Sequence, residues 1–270
     1  MSSRFGASRQ IANEKNDETY HDQIQSMNQP NEREKMQELT AWNLAHTALE
    51  ADAKRILLYG NAGTGKTYFG LTAGLKPNQK SYRLICTDEM SDADLIGCYR
   101  PQANGTWKFL EGVGIKAWRE GARLVVDEIN RANSDVESRL MALIDTVESS
   151  SWQNDETGEI VTPHENFSVV ATMNGLPTDL SMALQDRLII KFEITEPHPD
   201  ALKQLPEYLR ETARRLAGVD SDDYERTSIR SFMEFDRLMK RGIDQETAVK
   251  ICLPNIGESL IDALTVNTKS

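Results

Sequence analysis

The chain has 270 residues, 39% of them hydrophobic, and carries 42 acidic against 31 basic side chains for a net charge of −11. This length predicts one large domain or a domain with a small companion, and the apolar content excludes collagen-like, low-complexity and wholly disordered chains. No apolar run approaches the roughly 20 residues that span a bilayer, and no apolar segment follows the N-terminal charge as in a secretory signal. We therefore expect a soluble, cytoplasmic protein without membrane insertion.

The net charge and the cysteine spacing argue against several classes of function. The acidic excess repels a phosphate backbone over most of the surface, which disfavours broad nucleic-acid binding but leaves a local basic groove open. The three cysteines have no CxxC spacing and the four histidines are scattered, so neither a disulfide framework nor a zinc site is predicted. Cys86 ends an apolar run and is expected to be a small core residue.

Composition divides the chain into three segments. Residues 1–38 are polar and aperiodic and predict a flexible arm. A helical pattern over Met36–Ala53 leads into residues 39–197, where five apolar runs alternate with helical patterns, as in an α/β fold with a parallel five-stranded sheet and helices on both faces. Residues 198–270 show only helical patterns and predict a small all-α subdomain. The apolar runs are Arg55–Tyr59, Tyr82–Cys86, Leu124–Val126, Phe167–Ala171 and Ile189–Phe192, and the C-terminal helical patterns are Leu202–Leu216, Ile229–Met239, Gln245–Leu253 and Ile256–Leu264.

A phosphate-binding motif follows the first apolar run and precedes a helical stretch, Tyr68–Leu75. It matches G-x-x-x-x-G-K-[ST] in full. Its glycines let the backbone wrap a triphosphate with N–H groups pointing inward, and the next helix adds its positive dipole end. Lys66 is expected to reach the β- and γ-phosphates, and the Thr67 hydroxyl to ligate Mg²⁺. The predicted nucleotide-binding residues of this motif are Gly60, Asn61, Ala62, Gly63, Thr64, Gly65, Lys66 and Thr67.

Two carboxylates, Asp127 and Glu128, end the buried run Leu124–Val126. Carboxylates at the end of a buried strand are costly unless they hold a cation or a reacting water. In a P-loop protein, Asp127 is expected to hold Mg²⁺ from its outer shell and Glu128 to polarise water for attack on the γ-phosphorus. A carboxylate that activates water favours a hydrolase over a kinase.

Further segments carry a family resemblance. Asp94–Gly97, Asp127–Ala132, Ala171–Asn174 and Ala183–Arg187 together resemble the MoxR and dynein-related branch of the AAA+ ATPases, over about residues 39–264. The resemblance implies a P-loop NTPase core followed by an all-α lid, with ATP and Mg²⁺ as the bound cofactors. It also implies a homo-oligomeric ring, usually a hexamer, with nucleotide held between neighbouring subunits.

The same resemblance implies catalytic roles beyond the phosphate-binding motif. Asn174 is similar to the sensor residue that orients the attacking water, and an amide can donate and accept at once. Arg187 resembles the arginine finger that reaches the γ-phosphate of the adjacent subunit, although Leu188 stands where the family usually has Phe. Arg131 is a weaker interface candidate. Each residue also has a purely structural alternative. Asn174 would only form a turn, Arg187 would pair with a carboxylate of its own chain, and Arg131 would form a surface salt bridge.

Arg230 corresponds by resemblance to a second sensor that folds the helical lid over the nucleotide. Ser228 is expected to cap the helix that begins beside it, which places Arg230 in the first turn. The alternative for Arg230 is an ordinary arginine on a helix surface.

Two segments that contain predicted turns are expected to determine which partner the protein binds. Residues 98–110 place aromatic and basic side chains around Asn104-Gly105, which predicts a hairpin, and residues 149–163 contain a second turn. Both correspond in position to family inserts at the ring pore or on one ring face. Ordinary packing of the hairpins on the core is the alternative.

Three functional hypotheses follow. The first is a Mg²⁺-dependent ATP hydrolase that forms a ring and remodels a protein partner; in the family such a partner is often a von Willebrand factor A-domain protein. The second is a nucleic-acid motor, which the net charge disfavours. The third is an ATP-gated scaffold with little turnover, against which the presence of Glu128, Asn174 and Arg187 together argues.

Overall fold

The structure, a computed structural model, describes residues 40–154, 156–217 and 227–254. The chain separates into two compact units, residues 1–44 and 45–270, and of the first unit only residues 40–44 are described. The predicted arm at 1–38 and the helical pattern Ile256–Leu264 lie outside the described residues.

The second unit is built around a parallel sheet with the strand order β2-β5-β8-β1-β9. In chain order the strands are β1 (Arg55–Gly60), β2 (Ser81–Ile85), β3 (Gly97–Pro101), β4 (Trp107–Glu111), β5 (Arg123–Asp127), β6 (Trp152–Gln153), β7 (Ile160–Val161), β8 (Ser168–Thr172) and β9 (Ile190–Ile194). Every residue of β5 and β8 is buried, as expected for central strands covered on both faces. The predicted five-stranded parallel sheet and its five apolar runs are confirmed.

Helices pack around this sheet and follow it at the C-terminal end. In chain order they are α1 (Ala41–Glu50), α2 (Lys66–Thr72), α3 (Asp92–Leu95), α4 (Val113–Glu120), α5 (Ser134–Leu143), α6 (Met182–Arg187), α7 (Pro199–Lys203), α8 (Glu207–Leu216), α9 (Ile229–Lys240) and α10 (Gln245–Cys252). Helix α2 packs closely on the sheet because Gly70 has no side chain: a Cβ there would lie 3.1 Å from Val125 and from Val170.

The helical part has its own apolar cluster, which includes Leu209, Phe232, Phe235 and Val249. One predicted element there is wrong in detail. The pattern Leu202–Leu216 forms two helices, α7 and α8, rather than one. Pro206 lies between them, and a proline has no N–H to donate and disfavours a helical residue before it.

The first helix also differs from its prediction over Met36–Ala53. Helix α1 begins at Ala41 and ends at Glu50, and Asp52 beyond it takes a left-handed backbone with φ 63°. A left-handed residue cannot continue an α-helix. Residues 36–39 of the predicted segment lie outside the described part.

Both predicted turn segments form hairpins. Strands β3 and β4 pair antiparallel with Tyr99 opposite Phe109, and Gly105 in their turn has φ 82°. Strands β6 and β7 form a shorter pair. The rings of Phe109 and Trp152 stack with centroids 5.5 Å apart, so the two hairpins contact each other.

Arg123 joins the sheet to the end of α2. This side chain at the start of β5 is buried and donates to the carbonyl oxygens of Gly70, Ala73 and Gly74. The last carbonyl groups of a helix have no hydrogen-bond donor within the helix. At the end of α2, the Arg123 guanidinium supplies these donors. Burial lowers the pKa of the guanidinium to about 10, so it remains charged at neutral pH.

Arg123→Met should therefore lower the free energy of unfolding by about 3 kcal/mol, because it leaves several buried carbonyl oxygens without donors. Urea denaturation followed by circular dichroism measures this. Arg100→Met on the exposed hairpin is the matched control, since no described residue accepts a hydrogen bond from the Arg100 side chain. Equal losses in the two variants would contradict the structural role of Arg123.

Candidate nucleotide-binding site

A cleft of about 430 Å³ opens at the carboxyl ends of the parallel strands, beside the first helices of the C-terminal part. This edge is where ligands bind in open α/β sheets. The cleft is lined by Ala62, Gly63, Thr64, Gly65, Lys66, Thr67, Tyr68, Arg83, Asp127, Glu128, Thr172, Met173, Asn174, His198, Ala201, Gln204, Ile229, Arg230 and Met233. Most of the predicted site residues are therefore brought together here; Gly60 and Asn61 lie at the base of the loop.

The loop between β1 and α2 is held open by its glycines. Gly63 and Gly65 have φ of 75° and 105°, values that L side chains rarely adopt, and a Cβ would lie 2.8 Å from Ser228 and 2.9 Å from His198, respectively. Among the described residues, the backbone N–H groups of Gly63, Thr64 and Gly65 have no acceptor. A row of unused N–H groups at a helix start suits a phosphate chain.

The Lys66 ammonium group lies inside this loop. Its Nζ donates to the Gly60 and Asn61 carbonyl oxygens at 3.0 and 2.5 Å and to Asn174 Oδ1 at 3.1 Å. Burial lowers the pKa of Lys66 to about 8, against the opposing effect of Asp127 and Glu128. The lysine is thus charged at neutral pH and held by neutral oxygen atoms that an anion can replace.

Thr67 and Asp127 form the candidate metal site. Thr67 Oγ1 donates to Asp127 Oδ1 at 2.8 Å, and the Thr172 hydroxyl donates to the same oxygen. Burial opposes ionisation of Asp127, but hydrogen bonds from Thr172, Arg83 and Thr67 outweigh it and lower the pKa of the carboxyl. An ionised carboxylate beside a hydroxyl is the hard oxygen set that Mg²⁺ prefers, so these residues fit the ion.

Glu128 follows directly with a left-handed backbone, φ 54°. A non-glycine residue in this region costs of order 1–3 kcal/mol and occurs preferentially at functional sites. Glu128 Oε2 accepts a hydrogen bond from Arg131 Nη1 at 2.7 Å. For Arg131 the structure thus contains the salt bridge that was the alternative to an interface role.

Asn174 and Arg230 both reach the cleft. Asn174 lies two residues beyond β8, where its Oδ1 contacts Lys66 and its carbonyl accepts from Asn130. Arg230 is in the first turn of α9 and exposed, and its side chain makes no hydrogen bond to any residue in the described ranges. Ser228 occupies the predicted N-cap position, although its hydroxyl makes no capping hydrogen bond to the helix.

Arg187 lies apart from this cleft. At the end of α6, its Nε and Nη2 lie 3.1 and 2.7 Å from Asp145 Oδ2, and its Nη1 donates to the Ala183 carbonyl. The Thr146 N–H and the Arg187 guanidinium hold the pKa of Asp145 below its ordinary value. This pair is the structural alternative named for Arg187, and a role in a neighbour's site requires the guanidinium to leave Asp145 or to act beside it.

Arg83 and His198 are among the cleft residues that sequence reasoning missed. Arg83 sits in mid-strand on β2 and contacts Asp127, and no motif marks such a position. The His198 N–H donates to the Thr64 carbonyl at 2.7 Å, and its ring packs against Tyr68 and Phe69. Burial lowers the pKa of His198, so the imidazole is neutral at pH 7 and holds the helical part against the loop.

Fold and cleft together define a P-loop NTPase domain. A parallel sheet with β1 at an inner position, a glycine-rich loop before α2, and a carboxylate at the end of β5 paired with Thr67 are its defining parts.

The family follows from sequence comparison. Residues 55–188 match the AAA domain of the dynein-related subfamily. The chain therefore carries a nucleotide-binding AAA domain of that subfamily, which confirms the predicted resemblance to the MoxR and dynein-related branch.

Similar proteins come from several bacteria. The chain is 27% identical to protein NorQ of Paracoccus denitrificans over 76% of its own length and 81% of the relative's. It is 26% identical to the denitrification regulatory protein NirQ of Pseudomonas aeruginosa, over 73% and 81%. It is 31% identical to an uncharacterised protein of Staphylococcus saprophyticus over 56% of its own length, and it spans only 59% of that relative.

No helix in the described ranges combines the length and the apolar character needed to cross a membrane.

The lowered pKa of Lys66 predicts pH-dependent binding. The charged lysine binds phosphate, so nucleotide affinity should be nearly constant below about pH 7 and fall as the pH rises through the pKa of about 8. The expected decrease between pH 7 and pH 9 is about tenfold. Titration of a fluorescent nucleotide at fixed Mg²⁺ measures this.

Lys66→Arg is the control, because a guanidinium stays charged over this range and the pH dependence should disappear. Wild-type affinity that is equal at pH 7 and pH 9 would contradict the lowered pKa of Lys66.

Proposed function

We propose that this protein is a Mg²⁺-dependent ATPase that assembles into a homo-oligomeric ring, in keeping with a hexamer, and remodels or activates a protein partner. The observation that carries the proposal is the joint placement of Lys66, Thr67, Asp127, Glu128 and Asn174 around one cleft. A protein that only binds nucleotide needs Lys66, Thr67 and Asp127 for the phosphates and Mg²⁺. Glu128 and Asn174 are needed in addition to activate and orient a water molecule for hydrolysis.

Nucleotide binding begins with an exchange of partners at Lys66. Its ammonium leaves the Gly60, Asn61 and Asn174 oxygens for the β- and γ-phosphates, and the unused N–H groups of the loop turn to the same phosphate chain. Thr67 and Asp127 would hold Mg²⁺, which neutralises charge on the phosphate oxygens. The exchange also frees the Asn174 amide.

Hydrolysis then depends on Glu128 and Asn174. Glu128 accepts a proton from the attacking water, and the Asn174 amide orients that water by donating and accepting hydrogen bonds. In the structure Glu128 Oε2 lies 2.7 Å from Arg131 Nη1, and that contact must open before the carboxylate can act as a base. Arg230 reaches the phosphates from α9 and draws the helical part towards them.

Arg187 supports the ring. It lies outside its own cleft at a helix end, close to the surface, with a side chain that is 28% exposed. An arginine in such a position can enter a neighbour's site and stabilise charge in the transition state. Because each site then needs residues from two protomers, ATP hydrolysis would require assembly of the ring.

The β3–β4 hairpin is the proposed contact with the partner. Trp107 is 64% exposed, and Tyr99 and Leu110 are also exposed, while Arg100 and Lys108 face each other across the pair. Exposed aromatic and basic side chains on one hairpin suit contact with another protein chain, and the acidic overall charge disfavours a nucleic-acid partner.

Glu128→Gln tests the proposed base. The amide keeps the size of the side chain but cannot accept the proton, so turnover should fall at least about a hundredfold while nucleotide affinity stays within about twofold. Phosphate release and equilibrium binding measure the two quantities. Glu148→Gln, an exposed change of the same kind, should retain full turnover. Wild-type turnover in Glu128→Gln would remove Glu128 as the base.

Mixing variants tests Arg187 across the interface. Glu128→Gln and Arg187→Ala should each be inactive alone. In an equimolar mixture about one interface in four joins an intact Glu128 to an intact Arg187, so about a quarter of wild-type turnover should return.

The control replaces Glu128→Gln in the mixture by the Glu128→Gln/Arg187→Ala double variant, which contributes no arginine and should restore nothing. A mixture that remains inactive although sedimentation shows mixed assemblies would argue that Arg187 serves only its pair with Asp145.

A further inference from the structure

A guanidinium group lies on the carboxylate of the candidate metal site. Arg83 is the third residue of β2, opposite Val125 on β5, and its Nε lies 3.0 Å from Asp127 Oδ2. Its Nη2 contacts the same oxygen. The Arg83 side chain is 45% exposed and that of Asp127 only 7%, and both line the cleft. Arg83 is thus a partly exposed side chain that pairs with the buried Asp127 carboxylate.

The two oxygens of Asp127 have different partners. Oδ1 accepts from the hydroxyls of Thr67 and Thr172. Within the described ranges, Arg83 is the only donor to Oδ2. The threonines therefore fix the position of the carboxylate, and Arg83 supplies the positive charge that a buried carboxylate requires.

The same carboxylate, with Thr67, fits Mg²⁺. A guanidinium and a divalent cation repel each other, and the repulsion is strong where little water screens it. Both cannot be held closely by Asp127. Arg83 is half exposed and flexible, with several rotatable bonds, so its side chain can leave the carboxylate without any change in the paired strands β2 and β5.

We propose that Arg83 takes the place of the divalent cation on Asp127 while the cleft is free of nucleotide, and that it releases Asp127 when Mg²⁺ and nucleotide bind. The inference rests on the proposed function, because it presupposes that the cleft takes a nucleotide with Mg²⁺. Arg83 acts as a positioning residue: it holds the Asp127 carboxylate in place through Oδ2, and it sets the Mg²⁺ concentration at which nucleotide binds.

The test is a Mg²⁺ titration of the binding of a fluorescent, non-hydrolysable ATP analogue to the full-length wild-type protein and to Arg83→Gln. Removal of the competing guanidinium should lower the midpoint Mg²⁺ concentration about tenfold, the effect of one charge-assisted contact. Arg83→Lys keeps the charge but loses the two-point contact, and its midpoint should lie between the other two.

Arg119→Gln is the matched control, because Arg119 is similarly exposed and also pairs with carboxylates, Glu111 and Glu159, outside the cleft. Its midpoint should equal that of the wild type. Thermal melting of each variant without nucleotide shows that it is folded, and Arg83→Lys carries the test if Arg83→Gln is not.

Two outcomes separate this inference from the proposed function. If wild type and Arg83 variants bind the analogue with the same Mg²⁺ midpoint, or if the variants need more Mg²⁺, the inference is overturned and the nucleotide site stands. If the wild type binds no analogue at any Mg²⁺ concentration, the proposed function fails, and the inference fails with it.

Discussion

The site depends on keeping one buried carboxylate ionised. Asp127 ends a central strand whose residues are all buried, and an unpartnered charge there would be costly. Two hydroxyls and a guanidinium from three different elements, α2, β8 and β2, meet on it. The sheet order is what makes this possible, because β5 lies between β2 and β8. Helix α2 and the strands β2 and β8 are therefore fixed to each other through the Asp127 carboxylate.

The fold was predictable from sequence because its strands are nearly continuous apolar runs. A strand buried on both faces shows no alternation, and five such runs separated by helical patterns leave little choice but a covered parallel sheet. Errors fell where a single residue decides the backbone: Pro206 divides one predicted helix, and the left-handed Asp52 lies just beyond the end of another. Both are local constraints that periodicity does not report.

The candidate site was predictable only where its residues are consecutive. The loop of residues 60–67 and the pair Asp127-Glu128 follow from spacing and strand ends. Arg83 and His198 enter the cleft through strand pairing and through packing on the loop, and neither relation leaves a mark in the linear order. The partner of Arg187, Asp145, is 42 positions away and was equally invisible. The roles of these side chains in catalysis stay predictions.

The missing side chains of Gly63 and Gly65 have a mechanical consequence. Ser228 and His198, which begin two helices of the C-terminal part, occupy the volume where these glycines would otherwise carry a methyl group. The loop that is proposed to bind the phosphates is therefore also the surface against which these two helices pack. A displacement of the loop backbone towards these helices would therefore push directly against Ser228 and His198 by steric contact.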